Sequence, residues 1–267
     1  MTGRSRARDR SRPSDRSRPS GGALAWAPWS ALGGQWFNAA DGTSGSPVSA
    51  WTARGATATA TQGTVAKQPA APAANVNLGN ELACAFDGGD ILVSGTEIDL
   101  SAGWTLVSVL RFGALRNWTG IARVSTGETT GAGASDGVVL YGDAAGGLVI
   151  GSPDASSWFR LASGGTLVAN TSMAFIASCS GSSASITIER GVISGGSISW
   201  STVTLGALSG TFGMPSSTGR YLQPGGGWNT AGSRFVGDLA LNAAVGRVLT
   251  AGETTLLKSY LAGRFAL

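Results

Sequence analysis

Few residues in this chain have the types and spacing that chemistry needs. Glu97 and Asp99 lie two apart in Glu97-Ile98-Asp99-Leu100-Ser101-Ala102. A pair of carboxylates flanking a bond is the equipment of glycoside hydrolysis, one acting as nucleophile or base and the other as acid. The stretch reads as a loop, with Gly95 and Gly103 at its ends and a strand opening at Trp104. The last position of the stretch is Ala102, which leaves Glu97 without its partner, and one carboxylate cannot both attack and protonate a leaving group. There is no histidine, which excludes Ser–His and Cys–His nucleophile schemes and removes the commonest general base and metal ligand. Cys84 and Cys179 are the two cysteines, too few for a zinc site. Buried free thiols are expected, with one disulfide as the alternative. Asp87, Asp90, Asp136 and Asp143 stand in Gly-rich turns where calcium ligands could gather. Asp beside Gly is also ordinary turn chemistry, so no cofactor is expected.

Binding residues are more numerous. Trp36, Trp51, Trp104 and Trp200 fall on strand patterns and are expected in the core. Trp118, Trp158 and Trp228 stand among polar and Gly-rich residues, in Arg116-Asn117-Trp118-Thr119, Ser156-Ser157-Trp158-Phe159-Arg160 and Gly227-Trp228-Asn229. An exposed aromatic can stack on a sugar ring while Asn117 or Asn229 hydrogen-bonds its hydroxyls. Tryptophan at a protein interface, or packed under a loop, would look the same.

The elements that must position these residues are mostly strands. Glycine numbers 42, roughly double the usual ~7% share, and reads as turn chemistry for many hairpins. Trp104–Leu110 is apolar on both faces, as a central strand would be. Val138–Tyr141 and Leu148–Ile150 flank a hairpin tip, and another strand runs through Phe175 to Cys179. Ser185–Glu189 alternates, and a parity change between Trp200 and Val203 suggests a β-bulge. Residues 52–75 read as a surface excursion. Phe235–Leu241 is a strand, and Thr250 with Glu253 has capping-box spacing for a helix over about 251–263. Leu256, Leu257, Tyr260 and Leu261 give that helix one apolar stripe.

Charge divides the chain in two. Residues 1–20 hold Arg4, Arg6, Arg8, Arg10, Arg12, Arg16 and Arg18 against Asp9 and Asp15. The rest holds twelve basic and thirteen acidic residues and is near neutral. Residues 1–22 are therefore expected to be an extended Arg/Ser/Pro arm, and residues 23–267 one domain. Guanidinium groups suit docking on carboxylates of a partner protein. Nucleic acid is not expected, since the body has no basic groove. No run reaches eighteen apolar residues, and no membrane partner is expected. The segment after the arm, broken by Pro28, lacks the apolar core of a secretion signal.

In their order, these landmarks resemble the concanavalin A-like lectin/glucanase superfamily in its laminin-G-like form. Leu32–Asp41 resembles the opening strand, Val48-Ser49-Ala50-Trp51 the next, and Phe86-Asp87-Gly88-Gly89-Asp90 a Phe-Asp-Gly turn. Phe235-x-Gly237-Asp238-Leu239-Ala240, Leu249-Thr250-x-x-Glu253 and Tyr260–Phe265 resemble the closing strand and helix. The resemblance implies an all-β fold, a two-sheet antiparallel jelly-roll sandwich with one C-terminal helix. Asn38 and Ala53 stand where relatives often have aspartate, and Leu241 where glutamate often follows. Laminarinase-type members carry Glu-x-Asp-x-x-Glu, and here the last position is Ala102, so no enzymatic activity is expected.

The resemblance implies carbohydrate binding and, given the arm, a bacteriophage virion component. It would be a tail, fibre or head-surface protein, oligomeric within an assembly, built in the host cytoplasm and released by lysis. The arm would dock on other virion proteins and the domain would face host glycan or neighbouring subunits. A secreted carbohydrate-binding module or adhesin is the alternative, and a glycoside hydrolase the third reading.

Overall fold

The computed structural model describes residues 27–116, 118–126, 137–152, 158–162, 167–226 and 234–266, the side chain of Trp158 excepted. The described residues open with a short helix α1 (Pro28–Leu32), which the sequence patterns do not predict. Strands β1 (Gln35–Asn38), β2 (Thr43–Ser44), β3 (Ala50–Thr52), β4 (Thr59–Thr61), β5 (Ala73–Asn75), β6 (Glu81–Asp87) and β7 (Val93–Ser94) follow. Next come β8 (Trp104–Phe112), β9 (Thr119–Ser125), β10 (Gly137–Gly142), β11 (Leu148–Gly151), β12 (Trp158–Ala162) and β13 (Ser172–Cys179). The chain closes with β14 (Thr187–Ser194), β15 (Ser197–Thr202), β16 (Leu205–Gly210), β17 (Tyr221–Leu222), β18 (Val236–Val245) and helix α2 (Ala251–Phe265).

The strands pair antiparallel in three sheets. The large sheet runs β15-β14-β13-β8-β18-β6-β5, with β1 on β18 past the end of β6, and it curls into a half-barrel. The second sheet runs β16-β12-β11-β10-β9-β17, and a small one β2-β3-β4-β7. The expectation of antiparallel sheets closed by a C-terminal helix holds.

Alternation along the strands builds the core. Trp104, Leu106, Leu110 and Phe112 of β8 point inward with Met173, Phe175 and Ala177 of β13, meeting Val124, Val138, Leu140 and Ile150 of the second sheet. Val107, Val109, Ala174 and Ile176 point outward under α2, against Leu257, Tyr260, Leu261 and Phe265. The central strand β8 is thus buried on both faces, as its sequence predicts. One polar clasp crosses the core. In β9, Ile121 is the extra residue of a bulge, which frees its carbonyl from the ladder. Ser108 Oγ and Asn242 Nδ2 of the large sheet donate to that oxygen at 3.0 and 3.1 Å.

The Gly-Asp pair of β18 has a steric reason. Gly237 has φ +141°, and a Cβ there would collide with the carbonyl oxygen of Arg111. Beside it, Asp238 accepts from Asn75 Nδ2 at 2.7 Å and pairs with Arg111 at 3.7 Å. The α2 capping box forms as predicted, with Thr250 and Glu253 exchanging side-chain-to-backbone bonds.

Three local expectations are corrected. The parity change after Trp200 is no bulge, because β15 ends in the large sheet and β16 begins in the second. Residues 52–75 are more than an excursion: Ala58 and Ala60 are buried in the main core and β4 belongs to a sheet. Leu256 faces solvent at 47% exposure, and Phe265 completes the stripe instead. Cys84 and Cys179 are free and buried, as expected, and burial pushes the Cys84 thiol up to about 12.

Candidate functional site

The outer face of the second sheet gathers aromatic and polar side chains. Strand register sets the pattern, because cross-strand partners share a face. Tyr141 lies opposite Val149, and Val149 opposite Leu161. One step along, Phe159 lies opposite Gly151, Gly151 opposite Val139, and Val139 opposite Arg123. Val139, Tyr141 and Val149 form a small buried cluster with Phe159 against it.

Trp118 caps this row. It sits in a turn where Arg116 N donates to Thr119 Oγ1 at 2.9 Å and that hydroxyl donates to Arg116 O at 2.8 Å. Its φ is +65°, a region that bulky L-residues rarely occupy and that concentrates at functional sites. The indole lies on Tyr141, with centroids 5.2 Å apart and planes tilted by 51°, yet Trp118 stays 42% exposed. Burial, with the Asp143 carboxylate second, holds the Tyr141 phenol above its ordinary value.

Beside the aromatics lies a buried polar group. Arg123 Nε donates to Ser125 Oγ at 2.9 Å, and Gln223 Nε2 donates to the same oxygen at 2.9 Å. Arg123 and Gln223 are 3% and 1% exposed. Burial first, and the positive charge of Arg234 second, bring the Arg123 guanidinium down to about 10, so it stays cationic at neutral pH. Arg234 donates to Gly89 O. Tyr221 of β17 lies opposite Ser125 and donates from its hydroxyl to Glu97 Oε1 at 3.1 Å. That bond, with the Glu97 charge second, raises the Tyr221 pKa. Glu97 therefore stands at the rim of this surface. Asp99 is engaged by Ser101 through N–H and O–H at 2.8 and 2.7 Å, which lowers its pKa.

The structure places some predicted residues and not others. Trp118 is on the surface described. Trp158 opens β12, in register with Gly210. Asn117, Trp228, Asn229, Asp136 and the arginines of the arm lie outside the described residues. Arg160, beside Trp158, is structural: it donates to Gly206, Ser183 and Leu205 carbonyls at 2.9, 2.7 and 3.2 Å. Asp87 and Asp143 accept from Gly89 N and Gly147 N at 2.6 and 2.7 Å, and Asp90 from Asp87 N at 2.8 Å, so these do turn chemistry. Among the described residues no group of three or more acidic, Cys or His side chains could hold a metal. Nor is any described helix long and apolar enough to cross a membrane. Sequence reasoning missed Arg123, Tyr141 and Gln223. The signal for Arg123 was a lone charge inside the apolar run Ile121–Val124.

No protein-family model matches the chain, and no curated protein matches it. Solved structures do. An arabinofuranosidase complexed with arabinofuranosyl-α-1,2-xylobiose matches with a TM-score of 0.53 and 12% identity, over 82% of this chain and 52% of that one. An α-L-arabinofuranosidase mutant soaked with 4-nitrophenyl α-L-arabinofuranoside matches at 0.53 and 9%, over 91% of this chain and 61% of that one. A tailspike protein of an Escherichia coli O157:H7 bacteriophage is looser, at 0.41 and 12%, over 71% of this chain and 26% of that one. The chain thus spans roughly half to three-fifths of the two arabinofuranosidases, and at these identities the likeness is one of fold. The expectation of a chain without chemistry is corrected here, because its fold is shared with two arabinofuranosidases.

Proposed function

We propose that the chain recognises carbohydrate through the outer face of its second sheet. The observation that carries this reading is Trp118, held outward by a left-handed backbone on Tyr141, beside the hydrogen-bonded group of Arg123, Ser125 and Gln223. A half-exposed indole offers a flat apolar face to the C–H face of a sugar ring. The exposed Glu97 and the half-buried Tyr221 at the rim can exchange hydrogen bonds with hydroxyls, while Arg123, Ser125 and Gln223, buried beneath, hold β9 and the segment after β17 in place. The fold shared with two arabinofuranosidases supports a glycan as ligand, and a pentose-bearing one is the first to try.

The finer setting belongs to the same proposal. The domain over residues 23–267 is a concanavalin A-like jelly roll, and Trp158, Trp228, Asn117 and Asn229 contribute to its glycan surface. The chain is a bacteriophage virion component anchored by Arg4, Arg6, Arg8, Arg10, Arg12, Arg16 and Arg18. The arginine-rich composition of residues 1–22 supports the anchor.

A glycan array with the full chain, repeated with Trp118→Ala, tests the surface. Binding that Trp118→Ala abolishes supports it, and binding that ignores the substitution overturns it. Release of reducing ends from arabinoxylan oligosaccharides, with and without Glu97→Gln, decides whether the rim carboxylate cleaves what the surface binds. Deleting residues 1–22 should leave the domain folded and abolish incorporation into particles. Normal incorporation would refute the anchor.

A further inference from the structure

A cavity of about 390 Å³ opens on the other side of the molecule, at the C-terminal end of α2. None of its lining residues belongs to the Trp118 surface. Three segments meet there: the short turn of helix at Val76–Leu78, the start of β13 at Thr171-Ser172, and the β14–β15 turn. That turn is Ser194-Gly195-Gly196-Ser197, with φ +57° and +77° at its two glycines. The pair satisfies a tight two-residue hairpin loop and leaves the mouth of the cavity without side chains.

The lining has a definite chemistry. Asn77, Asn170, Thr171, Ser172 and Ser194 are amide and hydroxyl residues, and Phe265, whose backbone lies against Gly79, also borders the cavity. No lining residue is charged. Arg111, which donates to Asn170 Oδ1 at 3.2 Å, is matched by Asp238. Ser172 is only 4% exposed, and its Oγ finds no hydrogen-bond partner within the protein. A buried hydroxyl left unmatched is costly, by an amount comparable to a lost hydrogen bond, and such exceptions call for an explanation.

We infer that this cavity is a second binding site, for a neutral saccharide of one or two rings. Its volume falls at the small end of the range of ligand pockets. Hydroxyls and carboxamides both donate and accept, and so match the hydroxyls of a sugar. An ionic ligand would find no counter-charge in the wall. Ser172 Oγ is closed off from the cavity in the unliganded chain, and a change of rotamer brings it to a sugar hydroxyl. The site is independent of the Trp118 surface.

Saturation-transfer NMR on the full chain tests this, with L-arabinose, D-xylose and xylobiose at millimolar concentration as probes. Three variants divide the outcomes. Ser172→Ala should weaken binding by about tenfold, the loss of one hydrogen bond. It should also leave the unliganded protein as stable or more stable, because the unmatched hydroxyl is gone. Ser194→Trp, at an exposed position on the rim, should block binding without touching the core. Trp118→Ala should leave this binding unchanged, so that failure of the outer-face reading is told apart from failure of this one. Absence of binding by all three probes, or binding that neither Ser172→Ala nor Ser194→Trp alters, overturns the inference.

Discussion

The two outer faces of the β layers start from the same material and end differently. On the large sheet, Val107, Val109, Ala174 and Ile176 alternate outward and are sealed by α2. On the second sheet, Val139, Tyr141 and Val149 alternate outward in the same way. There they share the face with Arg123, Ser125 and Gln223, and no described helix covers them. The first face is finished by apolar contact, with ion pairs from α2 to the sheet at its margin, Lys258–Glu189 at 3.3 Å and Arg264–Glu81 at 3.0 Å. The second holds the Arg123 guanidinium and the Gln223 carboxamide, both buried, beside an exposed indole. An alternating strand therefore says that a second face is covered, and only the fold says by what: α2 on one side, Trp118 and Phe159 among the covering groups on the other.

The largest effect should break the sealed face. Leu261 is 0% exposed between α2 and the large sheet. Leu261→Ala should cost about 3 kcal/mol of stability, as buried Leu→Ala changes do, read from urea unfolding. Glycan affinity of the protein that remains folded should not change. A fall in affinity would show that the faces are coupled.

Next is Trp118 itself. Trp118→Ala should lower glycan affinity by about 10- to 100-fold, or ~1.4–2.8 kcal/mol, as aromatic anchors do. Trp118→Gly should lose the same affinity yet exceed Trp118→Ala in stability by about 1 kcal/mol, since glycine accepts a positive φ without strain. Equal stability of the two variants would remove the argument from backbone conformation.

Two carboxylates should also answer acid with opposite signs, Asp90 in the turn after β6 and Glu253 in the first turn of α2. Asp90, 4% exposed beside Arg234 and Asp87, has its pKa raised to about 6, chiefly by burial. The folded state then holds this proton more tightly than the unfolded state does. Stability from this group is full below about pH 4 and falls as pH rises to about 6. Asp90→Asn should therefore add about 1–2 kcal/mol at pH 7 and little at pH 4. Urea midpoints across that window check it, and an equal gain at both pH values would exclude titration as the cause.

How much of this could be read beforehand depended on range. Strand β8, the Gly237-Asp238 pair and the Thr250–Glu253 cap rest on local patterns, and each could be recognised from its own few residues. Trp118 could be picked out because an aromatic among polar neighbours stands out locally. The group that gives it a setting could not. Gln223 and Ser125 meet across 98 positions, and only the pairing of β17 with β9 brings them together. Val203 misled for the same reason: a parity change looks alike whether a strand bulges or its successor joins another sheet. Leu256 misled because a stripe four residues wide overestimates how much of a helix one sheet can cover.

The smallest effect sharpens the contrast from the helix side. Glu253 accepts from Arg247 Nη1 and Nη2 at 2.8 and 2.7 Å and from Thr250 N at 2.8 Å. These bonds, that with Arg247 first, lower its pKa to about 2. Its contribution is present above the ordinary carboxylate range and is lost as pH falls through about 2, the reverse of Asp90. Arg247 is 42% exposed, so solvent screens the pair. Glu253→Gln keeps the cap geometry, since glutamine serves at this position, and removes only the charge. It should cost about 0.5 kcal/mol at pH 7 and nothing near pH 2. Thr250→Ala, which removes the cap itself, should cost ~1 kcal/mol at both pH values. Urea midpoints of the two variants at each pH separate charge from cap. If Glu253→Gln cost as much in acid as at neutrality, the helix would owe nothing to its ion pair, and the pair of opposite acid responses would reduce to Asp90 alone.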